Sequence, residues 1–130
     1  MQKAPHYDDL IGEMLDHFDE GINIALAAGV PQKNIIIDPG IGFGKTVEHN
    51  LEIIRRLKEF KCLGRPILIG TSRKSFIGST LDVAVDQRIE GTAATATLSI
   101  ERGADIIRVH DVLSGVRVAR MTDAIVRKSL

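Results

Sequence analysis

The 130-residue sequence contains a single cysteine, Cys62, so it can form no internal disulfide. It has no apolar run near the roughly 18 residues needed to cross a bilayer. No signal-peptide core follows Met1, which makes the cytoplasm the expected compartment and removes membranes from the expected partners. Net charge is lacking too, because 17 Lys and Arg balance 17 Asp and Glu. A chain without an overall field has no electrostatic reason to seek nucleic acid, so any anion must be held locally. Aromatic residues are scarce: four Phe, one Tyr and no Trp. What is present is ordinary globular composition, 44% hydrophobic and 26% charged, which excludes disorder and suffices for one domain with a core.

Over residues 7–28 apolar side chains recur at helical spacing, with Leu10, Ile11, Met14, Phe18, Ile22 and Leu26 on one face and Gly29 just beyond. Residues 34–38 (Asn-Ile-Ile-Ile-Asp) then read as a strand buried on both faces and closed by Pro39-Gly40. Leu51, Ile54 and Leu57 mark a second helix, and 66–70 (Pro-Ile-Leu-Ile-Gly) a second strand. Ile89, Ala93, Ala96 and Ile100 mark a helix stopped by Gly103, and 105–109 (Asp-Ile-Ile-Arg-Val) a third strand. Ser114 can cap a last helix through Val118, Met121 and Ile125, with Arg127 and Lys128 near the negative end of its dipole. Helix and strand alternate, and Ile35, Ile67 and Ile106 recur at spacings of 32 and 39 residues. That spacing implies βαβ units with parallel strands. The order fits either a small open sheet with helices on both faces or part of a (β/α)₈ barrel, whose full form takes about 250 residues.

In both architectures a site lies beyond the carboxyl ends of the strands. The first end is Asp38-Pro39-Gly40-Ile41-Gly42-Phe43-Gly44-Lys45-Thr46, where glycines let backbone approach a ligand. It is not a nucleotide loop: Pro39 stands where the Walker pattern needs Gly, and Lys45 where the dinucleotide fingerprint needs its third Gly. A flexible loop behind a carboxylate remains, and Asp38 is open to two readings, an Asx turn or a ligand contact. The second end, Gly70-Thr71-Ser72-Arg73-Lys74-Ser75, sets two cations and three hydroxyls where an anion or carbonyl would sit, the plain alternative being solvated cations. Gly70 would let a flat ligand lie close to the backbone. The third end places Arg108 and His110 on one face of an extended chain. A guanidinium fork and an imidazole suit phosphate oxygens, and an Arg108–Asp111 or His110–Asp111 contact is the structural alternative. The small side chains of residues 91–98 permit close approach of another helix, in the core or between subunits.

Asp-Pro-Gly-Ile-Gly-Phe-Gly-Lys at 38–45, Gly-Thr-Ser-Arg-Lys-Ser at 70–75 and Arg-Val-His-Asp-Val at 108–112 together resemble dihydropteroate synthase, of the pterin-binding enzyme family. The resemblance covers residues 1–130 as one domain and only the carboxyl-terminal half of that enzyme. It implies a partial (β/α)₈ TIM barrel, the last three β/α units preceded by one helix. It also implies that Met1 is an internal methionine, because a stretch similar to residues 1–9 follows the fifth strand in family members. The implied activity is a transferase step of folate biosynthesis: condensation of 6-hydroxymethyl-7,8-dihydropterin diphosphate with 4-aminobenzoate to dihydropteroate and diphosphate. On this resemblance Lys74, Arg108 and His110 are the catalytic residues. Asp38, Gly70, Lys74 and Arg108 would hold the pterin, Arg108 and His110 the diphosphate, and Phe43, Lys74 and Ser75 the aminobenzoate, while Lys45, Ser72 and Arg73 receive no role. Magnesium assists the diphosphate in the family through the half not covered, so no metal or other cofactor is expected on this chain. A half barrel leaves two strand edges unpaired, so a homo-oligomer without turnover of its own is expected. The alternatives are a non-catalytic, self-associating half barrel and a fragment of a pterin-dependent methyltransferase. Against the methyltransferase, its chemistry has no diphosphate for the Ser-Arg-Lys-Ser and Arg-Val-His-Asp stretches to hold.

Overall fold

The computed structural model describes residues 9–127. The Tyr7 start of the first helix, residues 1–8 of the amino-terminal stretch and Lys128 lie outside the described residues. Five α-helices are described: α1 (Leu10–Ala27), α2 (Val47–Arg55), α3 (Ser75–Leu81), α4 (Ile89–Glu101) and α5 (Val112–Val126). A 3₁₀ helix, Leu57–Leu63, extends α2, and the regular strands are β1 (Leu68–Ile69) and β2 (Ile106–Ile107). None of the described helices is long and apolar enough to cross a membrane.

The helix order follows the hydrophobic spacing, with one addition. The short helix α3 begins directly after Lys74 and is set apart from α4 by Asp82, a left-handed C-cap (φ 55°). Asp9 starts α1 by accepting the Gly12 N–H at 3.1 Å, and Thr46 starts α2 in a reciprocal capping box with His49. For α5 the cap differs from expectation. Asp111, not Ser114, is the N-cap residue, and its carboxylate is engaged by Arg73 instead of the helix N–H groups. The Arg127 side chain is drawn to the Ala104 carbonyl between α4 and β2, at 2.9 Å, and to Asp123 of α5 at 3.3 Å.

The strands are shorter than their β-branched runs suggest, but their hydrogen bonds define one parallel sheet in chain order. Ile37 and Ile67 form a single parallel bridge, Leu68 pairs with Ile106, and Ile69 with Ile107. Ile37 N–H donates to Pro66 O at 2.8 Å, and Arg108 N–H to Ile69 O at 3.0 Å. Because side chains alternate, Ile37, Ile67 and Ile69 fall on one face, and Ile36, Leu68 and Ile106 on the other. The first face is sealed by α1, α2 and the 3₁₀ helix: Ile11, Ile53, Leu57, Phe60, Ile67 and Ile69 are each at most 1% exposed. Fully burying such a side chain stabilises the fold by roughly 1.5–3 kcal/mol. The second face is open, with Ile36 51% and Ile106 38% exposed, so the expectation of a strand buried on both faces fails for residues 34–38. Nothing among the described residues covers it.

The same lack of a covering layer alters two helices. The apolar face of α1 is buried at Leu10 and Ile11 and packed at Met14 and Phe18, but Leu26 is exposed. On α5, Met121 and Ile125 are exposed, and it is Thr122 that is buried against α4. Thr92 and Ala96 of the small-residue stretch are buried, as is Ser99 just beyond it, whereas Leu98 is exposed.

Candidate functional site

Alternation carries the open face onward from Ile36, Leu68 and Ile106 to Asp38, Gly70 and Arg108, so the three strand ends present these residues side by side. The Asx-turn reading of Asp38 is observed, and one carboxylate oxygen is left over from it. Oδ1 accepts the Gly40 N–H at 2.8 Å in an Asx turn, while Oδ2 makes no hydrogen bond among the described residues.

The glycine loop beyond it is not free. Gly42 has φ 92°, a left-handed value that favours glycine, and its N–H donates to the Asn50 side chain at 2.8 Å. Asn50 is buried on α2 and also donates to Thr46 O. Lys45 Nζ donates to the carbonyls of Gly40 and Phe43 at 3.1 and 2.9 Å, and Lys74 Nζ donates to Ile41 O at 2.5 Å. These bonds present the exposed Phe43 ring with Lys74 Nζ 5.1 Å from its centroid. Asn50 has little distinction in the sequence, because an Asn within a helical pattern looks like surface. Its one legible signal is its place one turn after the Thr46 cap.

At the second strand end Gly70 is buried beneath the Arg108 side chain, and a Cβ built on it would stand 3.0 Å from Arg108 Nη2. Gly70, Ser72, Lys74, Arg108, Val109 and His110 line one cavity of about 340 Å³. Neither structural alternative for the third strand occurs, because Asp111 pairs with Arg73 at 2.9 Å and the His110 ring pairs with Ser72 Oγ through Nδ1 at 2.7 Å. The Arg108 guanidinium makes no hydrogen bond or ion pair among the described residues. No described residue occupies its side-chain donors.

Asp38 lies outside that cavity. With Pro39 and Lys45 it lines a second one of about 420 Å³ against Glu13, Met14, His17 and Phe18 of α1. Lys74 lines the first cavity only, but its charge feels Asp38 and Lys45 of the second. Burial holds the Lys74 ammonium below the ordinary lysine pKa, the Arg108 and Lys45 charges push the same way, and the Asp38 carboxylate opposes them. Lys45 is likewise lowered by burial and opposed by Asp38. Ser75 is exposed at the start of α3 and Phe43 protrudes, so the structure brings Gly70, Lys74, Arg108 and His110 together, with Asp38 adjoining and Ser75 outside. Among the described residues no three His, Cys, Asp or Glu side chains form a group that could hold a metal ion.

The depressed Lys74 has a measurable consequence. Affinity for diphosphate should begin to fall, as pH rises, at a pH below the ordinary lysine value of 10.5, because the ammonium loses its proton early. In Lys74→Arg, which keeps its charge, titration calorimetry across this range should show no such decline.

Residues 1–110 match the family model described as pterin binding enzyme. The chain belongs to the pterin binding enzymes. Curated relatives of this pterin binding enzyme include the dihydropteroate synthases of Clostridium beijerinckii and Bacillus subtilis. The first is 55% identical over 94% of this chain and 46% of its own length, the second 50% identical over 95% and 43%. Among solved structures it is similar to the Clostridium difficile dihydropteroate synthase crystallised in the presence of pteroic acid (TM-score 0.93, 51% identity, 97% of this chain and 48% of that one). It is also similar to the Yersinia pestis enzyme in a sulfonamide drug complex (TM-score 0.95, 38% identity, 99% and 47%). The chain spans about half the length of the relatives it matches.

Proposed function

We propose that this chain supplies the carboxyl-terminal half of a dihydropteroate synthase, with its three strands and following helices as the last three β/α units of a (β/α)₈ barrel and α1 as the helix before them. The observation that carries this reading is the shared sheet face: Asp38, Gly70 and Arg108 stand at the ends of three neighbouring parallel strands, with Lys74 and His110 beside them. A barrel adds its strands in chain order, as this sheet does, and its interior is the face left open here.

In the proposed reaction the amine of 4-aminobenzoate attacks the exocyclic carbon of the dihydropterin diphosphate. A C–N bond forms, the C–O bond to diphosphate breaks, and the amine proton departs to solvent or to the leaving group. Negative charge collects on the leaving group, and Arg108, His110 and Lys74 are the donors poised to receive it. Arg108 also spans the gap to the ring, lying over Gly70 where no side chain intervenes. Asp38, with Oδ2 available, accepts from the pterin amino and ring N–H groups, and Lys74 donates to the pterin ring. Phe43 and Ser75 flank the path of the aminobenzoate. No step is routed through magnesium, and the arylamine makes a nucleophilic side chain unnecessary.

A pterin titration tests this reading. Asp38→Asn should bind a pterin about tenfold more weakly than the parent, because an amide oxygen is a poorer acceptor for two donors than a carboxylate. Aminobenzoate should show no saturable binding until pterin is present. Equal pterin affinity in the two proteins, or tight aminobenzoate binding alone, would count against the assignment.

A further inference from the structure

Two loops carry the cations of the cleft: residues 71–75, with Lys74, and residues 109–111, which follow Arg108 and contain His110. The strand ladder between them ends where Arg108 N–H meets Ile69 O. Beyond it, the described residues join the loops by side chains at two places. Ser72 Oγ meets His110 Nδ1 at 2.7 Å and accepts the His110 backbone N–H at 3.1 Å, and Arg73 Nη2 donates to Asp111 Oδ1 at 2.9 Å.

Arg73 stands apart from a surface cation in its backbone. With φ 57° it is in the left-handed region, which is unfavourable for a residue with a Cβ, and Arg lacks the short polar side chain that eases this for Asn or Asp. The conformation is held from three directions. The Arg73 N–H donates to Thr92 Oγ1 on α4 at 3.1 Å, and the Arg73 carbonyl accepts from Arg88 Nη1 at 2.8 Å. The third hold is the pairing of the guanidinium with Asp111 at the start of α5. Lys74 follows immediately. Any rotation of residue 73 therefore moves the Lys74 ammonium relative to Arg108 and His110.

We propose that Arg73 is a positioning residue, whose ion pair with Asp111 clamps the Lys74 loop to the Arg108–His110 loop and fixes the separation of the cations that take a two-phosphoryl anion. The anion part of this inference rests on the proposed function; the clamp itself does not.

The experiment uses the whole chain, comparing the parent with Asp111→Asn and Arg73→Ala. Removing a carboxylate near a cluster of cations should, by Coulomb's law alone, tighten diphosphate binding. The clamp gives the opposite sign: Asp111→Asn should bind inorganic diphosphate about threefold more weakly, a size set by the partial exposure of the pair. In the unliganded protein, hydrogen exchange at the His110 amide, which bridges the loops, should quicken about threefold in both variants. The Leu68 amide, bonded to Ile37 O within the sheet, should be unchanged. Unaltered His110 exchange, equal acceleration at His110 and Leu68, or tighter diphosphate binding by Asp111→Asn would each overturn the proposal. If the parent binds no diphosphate, the functional reading falls, and the two exchange rates still decide whether the clamp exists.

Discussion

Replacing Arg108 with alanine should weaken the binding of inorganic diphosphate by at least tenfold, measured by titration calorimetry at fixed salt. A charge-assisted hydrogen bond contributes about 1.5–3 kcal/mol, and a guanidinium offers a planar fork that makes two such bonds to neighbouring oxygens. Among the described residues no side chain pairs with that fork: Asp111 is taken by Arg73, and Asp105 accepts the Ile67 N–H. Exposure at the mouth of the cleft brings the expectation down toward one strong contact, and tenfold corresponds to about 1.4 kcal/mol. Arg108→Lys should recover part of the loss, since it keeps the charge and loses the fork. Equal affinity in the parent and Arg108→Ala would remove Arg108 from the anion site.

The second large effect concerns the edge of the sheet at β2. Ile107, Val109, Val112, Gly115, Val116 and Ala119, with Arg108, line a mostly apolar groove of about 350 Å³ along the edge of β2 that is unpaired among the described residues, and Val112 and Val116 are 64% and 47% exposed. An unpaired strand edge beside an apolar helix face invites a second strand and helix. The isolated chain should therefore sediment as a dimer or larger at micromolar concentration, and without synthase turnover. Val116→Lys should raise its dissociation constant by about a hundredfold or more, because burying an unpaired ammonium costs several kcal/mol. An amino-terminal half expressed separately should compete for the same groove, and the mixture should show turnover. A monodisperse parent monomer would refute the association, and turnover by the isolated chain would show that the remaining barrel units are dispensable.

The order of elements was legible because burial of one helical stripe or one strand run leaves its period in the sequence. Leu10, Ile11, Ile54, Leu57 and Ile67 are all buried, as their spacing implies. Which faces stay open was not legible, since Ile36 and Ile37 are chemically identical and differ only in what lies opposite them. The strand-end position of Asp38, Lys74, Arg108 and His110 was readable from three separate motifs. The partners of those motifs were not. Asp111 turns to Arg73, 38 residues away, instead of to its neighbours, and buried Asn50 holds Gly42 across eight residues. Such pairings depend on where helices α2, α4 and α5 are packed, which local spacing does not encode. For the same reason the cap of α5 fell at Asp111 and not at Ser114.

The formal charge of the whole chain is zero, yet Lys74 and Arg108 line one cleft, with the Lys45 and Asp38 charges close enough to act on Lys74. Attraction of that kind is felt only within a few ångströms, because at physiological salt the screening length is about 8 Å. Anions therefore reach the cleft by unguided diffusion, without the ionic-strength-dependent acceleration that a strongly charged surface provides. Added salt should act on the lifetime of the bound anion far more than on its rate of arrival, so retention, and not capture, is where this cleft discriminates.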